Sequence, residues 1–310
     1  MDFPIANVHI NPVWLILVGF VVGVLGGFFG VGGSFLVGPA LFGFGVPMNF
    51  VVGTDLAHIV GKSIVAARKH STLGNIDLKL GGIMVIGTII GVEGGAQLVQ
   101  ELKKTAHIDL VIGVSFIFIL VAISAFMSWE TWKTLNPSHA EKMAKAKAKK
   151  LSPHREFMVF GHIAKKIQNF NLPPHISLPA SGIKRISAWA IIIVALVGGF
   201  FSGFLGGGAG YIRMPSMIYL LGIPTHIAVG TDLFEIIISA GYGTFTHALK
   251  GNVDILIALV MHTGAAIGAQ IGATLTQYFN GARIRMAFIP LPLIGVAIII
   301  HGLMTGHPAK

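Results

Sequence analysis

"GGFFGVGGSFLVGP" (residues 26–39) returns, altered but recognisable, as "SGFLGGGAGYIRMP" (residues 202–215). Gly27–Pro39 aligns with Gly203–Pro215 at a displacement of 176 residues. One inserted residue raises the displacement to 177. Pro47 then meets Pro224, Gly53-Thr54-Asp55-Leu56 meets Gly230-Thr231-Asp232-Leu233, and His70 meets His247. Further on, "GNID" (74–77) meets "GNVD" (251–254), and Gly87, Gly91 and Gly95 meet Gly264, Gly268 and Gly272. The chain is an internal duplication, so its fold is one unit built twice.

Composition says what kind of unit. Of 310 residues, 54% are hydrophobic and 11% charged, with a mean hydropathy of +0.79. That reads as a polytopic membrane protein, not a soluble one. Apolar runs fall near 13–29, 34–45, 49–67, 80–99 and 108–129, then near 187–205, 210–222, 226–246, 254–277 and 284–303. Most approach the about 20 residues a helix needs to cross a bilayer. The expected fold is an all-α, polytopic transmembrane bundle of two homologous halves, each with four or five hydrophobic segments. Residues 1–130 form the first repeat, 131–186 a basic loop and 187–310 the second repeat. Without cysteine there is no disulfide framework and no thiolate metal site. No basic stretch precedes the first apolar run, so that run is expected to stay rather than be cleaved as a signal peptide.

The net charge of +10 is concentrated: 11 of the 22 Lys and Arg residues lie between Lys133 and Arg185, against Glu141 and Glu156. Basic residues in short loops mark the cytoplasmic side of a membrane protein. The expectation is a multi-pass protein of the cell's inner membrane, its central loop cytoplasmic, with no nucleic-acid partner. "EKMAKAKAKK" (141–150) reads as a contact for anionic lipid headgroups. Five crossings per half is an odd number, so the second copy would enter from the opposite side. Arg68, Lys69, Lys79, Arg283 and Arg285 then fall in the cytoplasm, and Lys103-Lys104 is the exception. This predicts an inverted repeat; re-entrant short segments would instead make four crossings per half and a parallel one.

The second run of each half is short and flanked by glycine. Non-helical backbone is tolerated at membrane depth only where protein buries it or a cavity hydrates it. Matched, glycine-interrupted segments in two repeats point to a transporter's binding site, and a helix restarting after such a break suits an anion. Gly30, Gly32, Gly33, Ser34, Gly206, Gly208 and Gly210 are the candidates there. Close helix packing, for which Gly26/Gly30 and Gly203/Gly207 are spaced, is the competing explanation. "LAHIVGKS" (56–63) has leucine where a phosphate-binding loop needs its first glycine, and neither HExxH nor GxSxG occurs. No enzyme and no cofactor is expected.

Ionisable side chains inside apolar runs are costly, so they face the bundle interior or a wet path. Asp55, His58 and Lys62 share one helical face by their i, i+3, i+7 spacing. The matching face of the second half holds Asp232, Glu235 and Ser239, and Glu93 lies on the next segment. Asp55 and Asp232 follow Thr54 and Thr231 soon after a proline, so capping a helix start competes with a role in substrate binding or coupling. Isolated histidines such as His70, His107 and His301 read as interfacial or solvated. Arg213 breaks the repeat, standing opposite Val37 with a permanent charge.

The paired motifs "GVGGSFLVGP" and "GGGAGYIRMP", the "VGTDL" continuations and the "GNID"/"GNVD" loops resemble those of the TauE/SafE sulfite exporters, also called toluene-sulfonate uptake permeases. The resemblance covers both hydrophobic halves and implies a multi-pass inner-membrane carrier of small, often sulfur-containing anions such as sulfite or sulfonates. On that expectation the glycine segments, Thr54, Thr231 and Arg213 bind the anion. Asp55, Asp232, His58, Lys62, Glu93 and Glu235 form a coupling or charge network for a proton or sodium ion, and a homo-oligomer is compatible with it. The rival expectation uses the same carboxylates as oxygen ligands for transporting sodium or a metal cation.

Overall fold

The computed structural model describes residues 1–31, 33–105, 107–135, 161–170 and 172–305. Gly32, the side chain of Ser34 and the lysine-rich stretch 141–150 lie outside the described residues. In the first half a hairpin of β1 (Asp2–Phe3) and β2 (Val8–His9) precedes α1 (Pro12–Phe29), α2 (Ser34–Gly43), α3 (Met48–Thr72), α4 (Leu78–Leu102) and α5 (Ile108–Leu135). After α6 (Gly161–Gln168), a second hairpin of β3 (His175–Leu178) and β4 (Ile183–Ser187) precedes α7 (Ala188–Leu205) and α8 (Gly210–Ser216). A π-helical turn (Met217–Leu221) follows α8. Then come α9 (Thr225–Leu249), α10 (Ile255–Leu275), α11 (Gly281–Phe288) and α12 (Leu291–Thr305).

Among the described residues, seven helices are long and apolar enough to cross a membrane. α9 is not one of them, although at 25 residues it matches α3 in length. Its buried face carries Asp232, Glu235 and several hydroxyls, which lower its hydropathy and mark it as an interior helix.

Glycine decides how the halves interlock. α1 packs on α10, and α4 on α7. A Cβ at Gly19, Gly23 or Gly27 would strike the backbone of Met261, Ala265 or Ala269, and one at Gly264, Gly268 or Gly272 that of Ile16, Phe20 or Val24. The other seam repeats the device, with Gly87, Gly91 and Gly95 against Ile192, Leu196 and Phe200, and Gly199 and Gly203 against Thr88 and Val92. Small residues let the backbones touch, which is the means by which helices gain dispersion energy without a hydrophobic drive. The packing expectation therefore holds in kind, but the residues that carry it are Gly23/Gly27 and Gly199/Gly203, one turn from the breaks. Residue numbers rise together across both seams, so each pair runs parallel. α3 and α9 cross the centre in opposite directions: Leu56 meets Gly243, and Ala66 clusters with Leu233.

Candidate functional site

The repeated "VGTDL" stretch has two parts that face different neighbours, and the glycine and threonine form the first. Gly53 leaves room for the carbonyl of Asn252, and Gly230 for that of Asn75. The Thr54 hydroxyl accepts the Asp254 N–H at 2.9 Å, and the Thr231 hydroxyl accepts the Asp77 N–H at 2.9 Å. Each half thus grips the "GNxD" loop of the other. Asp77 and Asp254 are the caps of α4 and α10, bonding Leu80 N–H and Leu256 N–H. Their second oxygens anchor the hairpins: Ser181 Oγ donates to Asp77 Oδ2 at 2.6 Å, and Ala6 N–H to Asp254 Oδ2 at 3.1 Å. The hairpins left no apolar run in the sequence and were not anticipated.

His70 is buried and donates through Nε2 to the Gly27 carbonyl at 3.0 Å, as His247 does to Gly203 at 2.9 Å. The interfacial expectation fails for His70, because the carbonyl exposed at the end of α1 needs a donor.

The aspartates form the second part. Asp55 and Asp232 are the eighth residues of α3 and α9, so they do not cap those helices. Both are fully buried, and the chain break of the second half comes to Asp232. Gly206, Gly207, Gly208 and Ala209 all have positive φ, from 45° to 85°. Only glycine takes that conformation without strain, so the backbone leaves α7 and turns back into α8. Gly30 (φ 73°) and Gly33 (φ 72°) do the same after α1. The two breaks touch, since a Cβ on Gly210 would meet the Val31 backbone and the Asp232 carboxylate. Gly30 abuts Val229, and Gly206 abuts the equivalent Val52.

Into this junction α8 delivers Arg213. Its aliphatic portion fills the space over Gly198. Its Nε donates to Asp232 Oδ1 at 2.8 Å, and its Nη1 lies 2.5 Å from Glu235 Oε2. Ser239 Oγ also donates to Glu235 Oε2 at 3.2 Å. The first-half counterparts of these residues are Val37, Asp55, His58 and Lys62. Lys62 Nζ donates to His58 Nδ1 at 3.3 Å, and Asp55 Oδ1 lies 3.9 Å from the same nitrogen. Every one of these charged side chains is 98–100% buried. Several of their polar atoms have no hydrogen-bond partner: both Asp55 oxygens, His58 Nε2, Asp232 Oδ2, Glu235 Oε1, Arg213 Nη2 and the nearby Tyr211 hydroxyl. Such a concentration departs from the rule that buried polar groups are paired.

Glu93 is elsewhere. It accepts from Tyr242 at 3.0 Å, Thr246 at 2.9 Å and Lys250 at 3.3 Å, all on or at the end of α9, and from Gln97 on its own helix. Among the described residues no group of three or more histidine and carboxylate side chains converges as metal ligands would. A concavity of about 350 Å³ on the outer face between α4 and α7 is lined by Ile90, Leu196, Val197, Phe200 and Phe201. It offers no charge to an ion.

The chain is 26% identical to the "Probable membrane transporter protein YunE" of Bacillus subtilis (strain 168) over 300 residues, covering 94% of this chain and 98% of that protein. It is 25% identical to YdhB of the same organism, covering 92% and 99%, and 24% identical to MJ0441 of Methanocaldococcus jannaschii, covering 88% and 89%. Both of those are also named as probable membrane transporters. No solved structure matches it significantly. The profile described as "Sulfite exporter TauE/SafE" matches residues 15–299, nearly the whole chain, and the protein is therefore a multi-pass membrane transporter of the TauE/SafE family.

Proposed function

We propose that the protein carries a small oxyanion, of the sulfite or sulfonate class, through the junction of the two glycine breaks. The observation that carries this reading is Arg213: a permanent cation, fully buried, whose Nη2 has no hydrogen-bond partner, on the helix that starts where Gly210 meets Val31. Guanidinium presents a planar set of donors that matches oxyanions. Backbone N–H groups around Gly33, Gly208 and Gly210 add donors, while the Gly30 N–H closes α1 on the Gly26 carbonyl and shapes the break; Gly32 and the Ser34 hydroxyl belong to the same proposed set. Thr54 and Thr231 act by locking the two loops rather than by touching the anion. Asp55, His58 and Lys62 with Asp232 and Glu235 form the charge network, and Glu93 stands outside it.

The two halves act as an inverted repeat whose rocking alternates access. The antiparallel crossing of α3 with α9, and the exchanged loop contacts, support that relation. We assign the protein to the cell's inner membrane with the basic central segment in the cytoplasm. On this reading the second repeat begins at the hairpin near residue 175, since Ser181 serves it as Ala6 serves the first.

The cation alternative loses support from the same geometry. Asp232 and Glu235 already face a guanidinium, and Glu93 faces Lys250. The test is thermal unfolding of the purified protein with sulfite, sulfate, methanesulfonate, sodium and divalent cations. A ligand at 100 times its dissociation constant stabilises a fold by about 2.7 kcal/mol. Stabilisation by an oxyanion, lost in Arg213→Lys while the variant stays folded, is expected. Stabilisation by cations alone, or full anion stabilisation of Arg213→Lys, overturns the reading.

A further inference from the structure

One guanidinium faces two carboxylates at the junction. When Arg213, Asp232 and Glu235 are all ionised, the trio carries one negative charge in excess, with every side chain fully buried. An anion arriving at Arg213 adds to that excess in a medium where unscreened charge is costly. Unless something neutralises a carboxylate, the site repels the ligand its arginine attracts. We propose that the anion is carried together with a proton, and that the proton resides on the Asp232–Glu235 pair; this rests on the anion reading given above.

The geometry provides for such a proton. Each carboxylate turns one oxygen to Arg213 and keeps the other, Asp232 Oδ2 and Glu235 Oε1, without a hydrogen-bond partner. A proton on either oxygen leaves the contacts to Arg213 in place, cancels the excess charge and supplies a donor to the incoming anion. A sodium ion fits less well. It needs a shell of about six oxygens, and here the carboxylate oxygens that face inward sit within ion-pair distance of a guanidinium.

The surroundings do not supply the missing charge by another route. α3, which packs along α9, brings Asp55, His58 and Lys62, a set that balances itself, and at its far end Arg68, Lys69 and the bonded His70. α4 brings Lys79, Glu93, which Lys250 answers, and Glu101, which Lys104 answers. α9 itself adds His226, Tyr242, which bonds Glu93, and His247, which bonds the Gly203 carbonyl; α10 adds His262, which lies against Gly61 beside Lys62; α8 adds Tyr211 and the π-helical turn Tyr219, while α1 and α7 bring no titratable side chain. The proton enters on one of the two free oxygens from one side of the membrane and leaves with the anion on the other.

The experiment measures binding of methanesulfonate, whose own charge is constant, from about pH 5 to about pH 8 by thermal stabilisation. A pH indicator in weakly buffered detergent solution reports protons taken up on binding. The bound state holds one proton more than the free state, so affinity falls by up to about tenfold per pH unit on the alkaline side. Addition of the anion there should take up close to one proton per protein. In Glu235→Gln the trio is neutral without a proton, so affinity becomes flat with pH and the uptake disappears. Equal affinity at every pH with no proton uptake overturns the proposal while leaving the anion reading intact. Binding that requires sodium at fixed pH also overturns it. Failure of every oxyanion to bind at any pH overturns the anion reading, and this proposal with it.

Discussion

The first half answers Asp55 with an amine on its own helix, through a histidine; the second answers Asp232 and Glu235 with a guanidinium from a different segment, across the chain break. The positions correspond one to one, yet the charges do not. One cluster is balanced along a single helix face. The other is over-supplied with carboxylate and depends on α8 holding its place beside α9. Duplication supplied the scaffold, and divergence at Val37/Arg213, His58/Glu235 and Lys62/Ser239 gave the junction a polarity that its symmetric backbone lacks.

The sharpest way to break this comparison is to remove each cation. Arg213→Met leaves two buried carboxylates unanswered and should cost about 3–5 kcal/mol. Lys62→Met removes a charged hydrogen bond to His58 and leaves one buried carboxylate, Asp55, without its balancing amine at longer range, so it should cost less, about 2–3 kcal/mol. Denaturant or thermal unfolding in one detergent ranks the two. Equal losses would mean that the clusters are energetically alike, and the argument from charge imbalance would fail.

The packing seams make the opposite claim, that the halves are equivalent. Gly91→Ala and Gly268→Ala each drive a Cβ into a facing backbone, at Leu196 and at Phe20. Overpacking of this kind costs about 1–3 kcal/mol. The two variants should lose the same amount in unfolding experiments. A large difference would show that only one seam is tight.

Thr54→Val and Thr231→Val test the exchanged loops. Each leaves a buried N–H, of Asp254 or Asp77, without its acceptor, a loss of about 1–3 kcal/mol. On the proposed reading neither hydroxyl serves the anion, so the affinity of the folded variants should stay within about twofold of the parent, a shift of under 0.5 kcal/mol. An affinity loss that exceeds the stability loss would return these hydroxyls to the binding site.

The repeat, the membrane class and the helices were legible because apolar period and glycine spacing are local signals. Arg213 was legible because it broke a repeat. What the glycines at 87, 91, 95, 264, 268 and 272 do was hidden, since their partners lie a hundred or more residues away along the chain. The same holds for the loop contacts of Thr54 and Thr231, whose partners Asp254 and Asp77 lie more than 150 residues away along the chain. The hairpins were invisible for a different reason. Strands of two to five residues carry too little alternation to register, and their anchorage depends on the one oxygen that Asp77 and Asp254 leave over after capping.

Those anchors offer the smallest and most local test of asymmetry. Asp254 receives a backbone donor from Ala6, which no side-chain truncation removes, whereas Asp77 receives the Ser181 hydroxyl. Ser181→Ala should therefore cost only about 1 kcal/mol. It should loosen the hairpin at 175–187 and leave the one at 2–9 untouched. Hydrogen exchange resolves the two segments: amides of Ile183 and Ile186 should exchange several-fold faster, with Phe3 and Val8 unchanged. If both hairpins loosen together, the two ends of the molecule communicate through the exchanged loops. The asymmetry would then be confined to the charges at the centre.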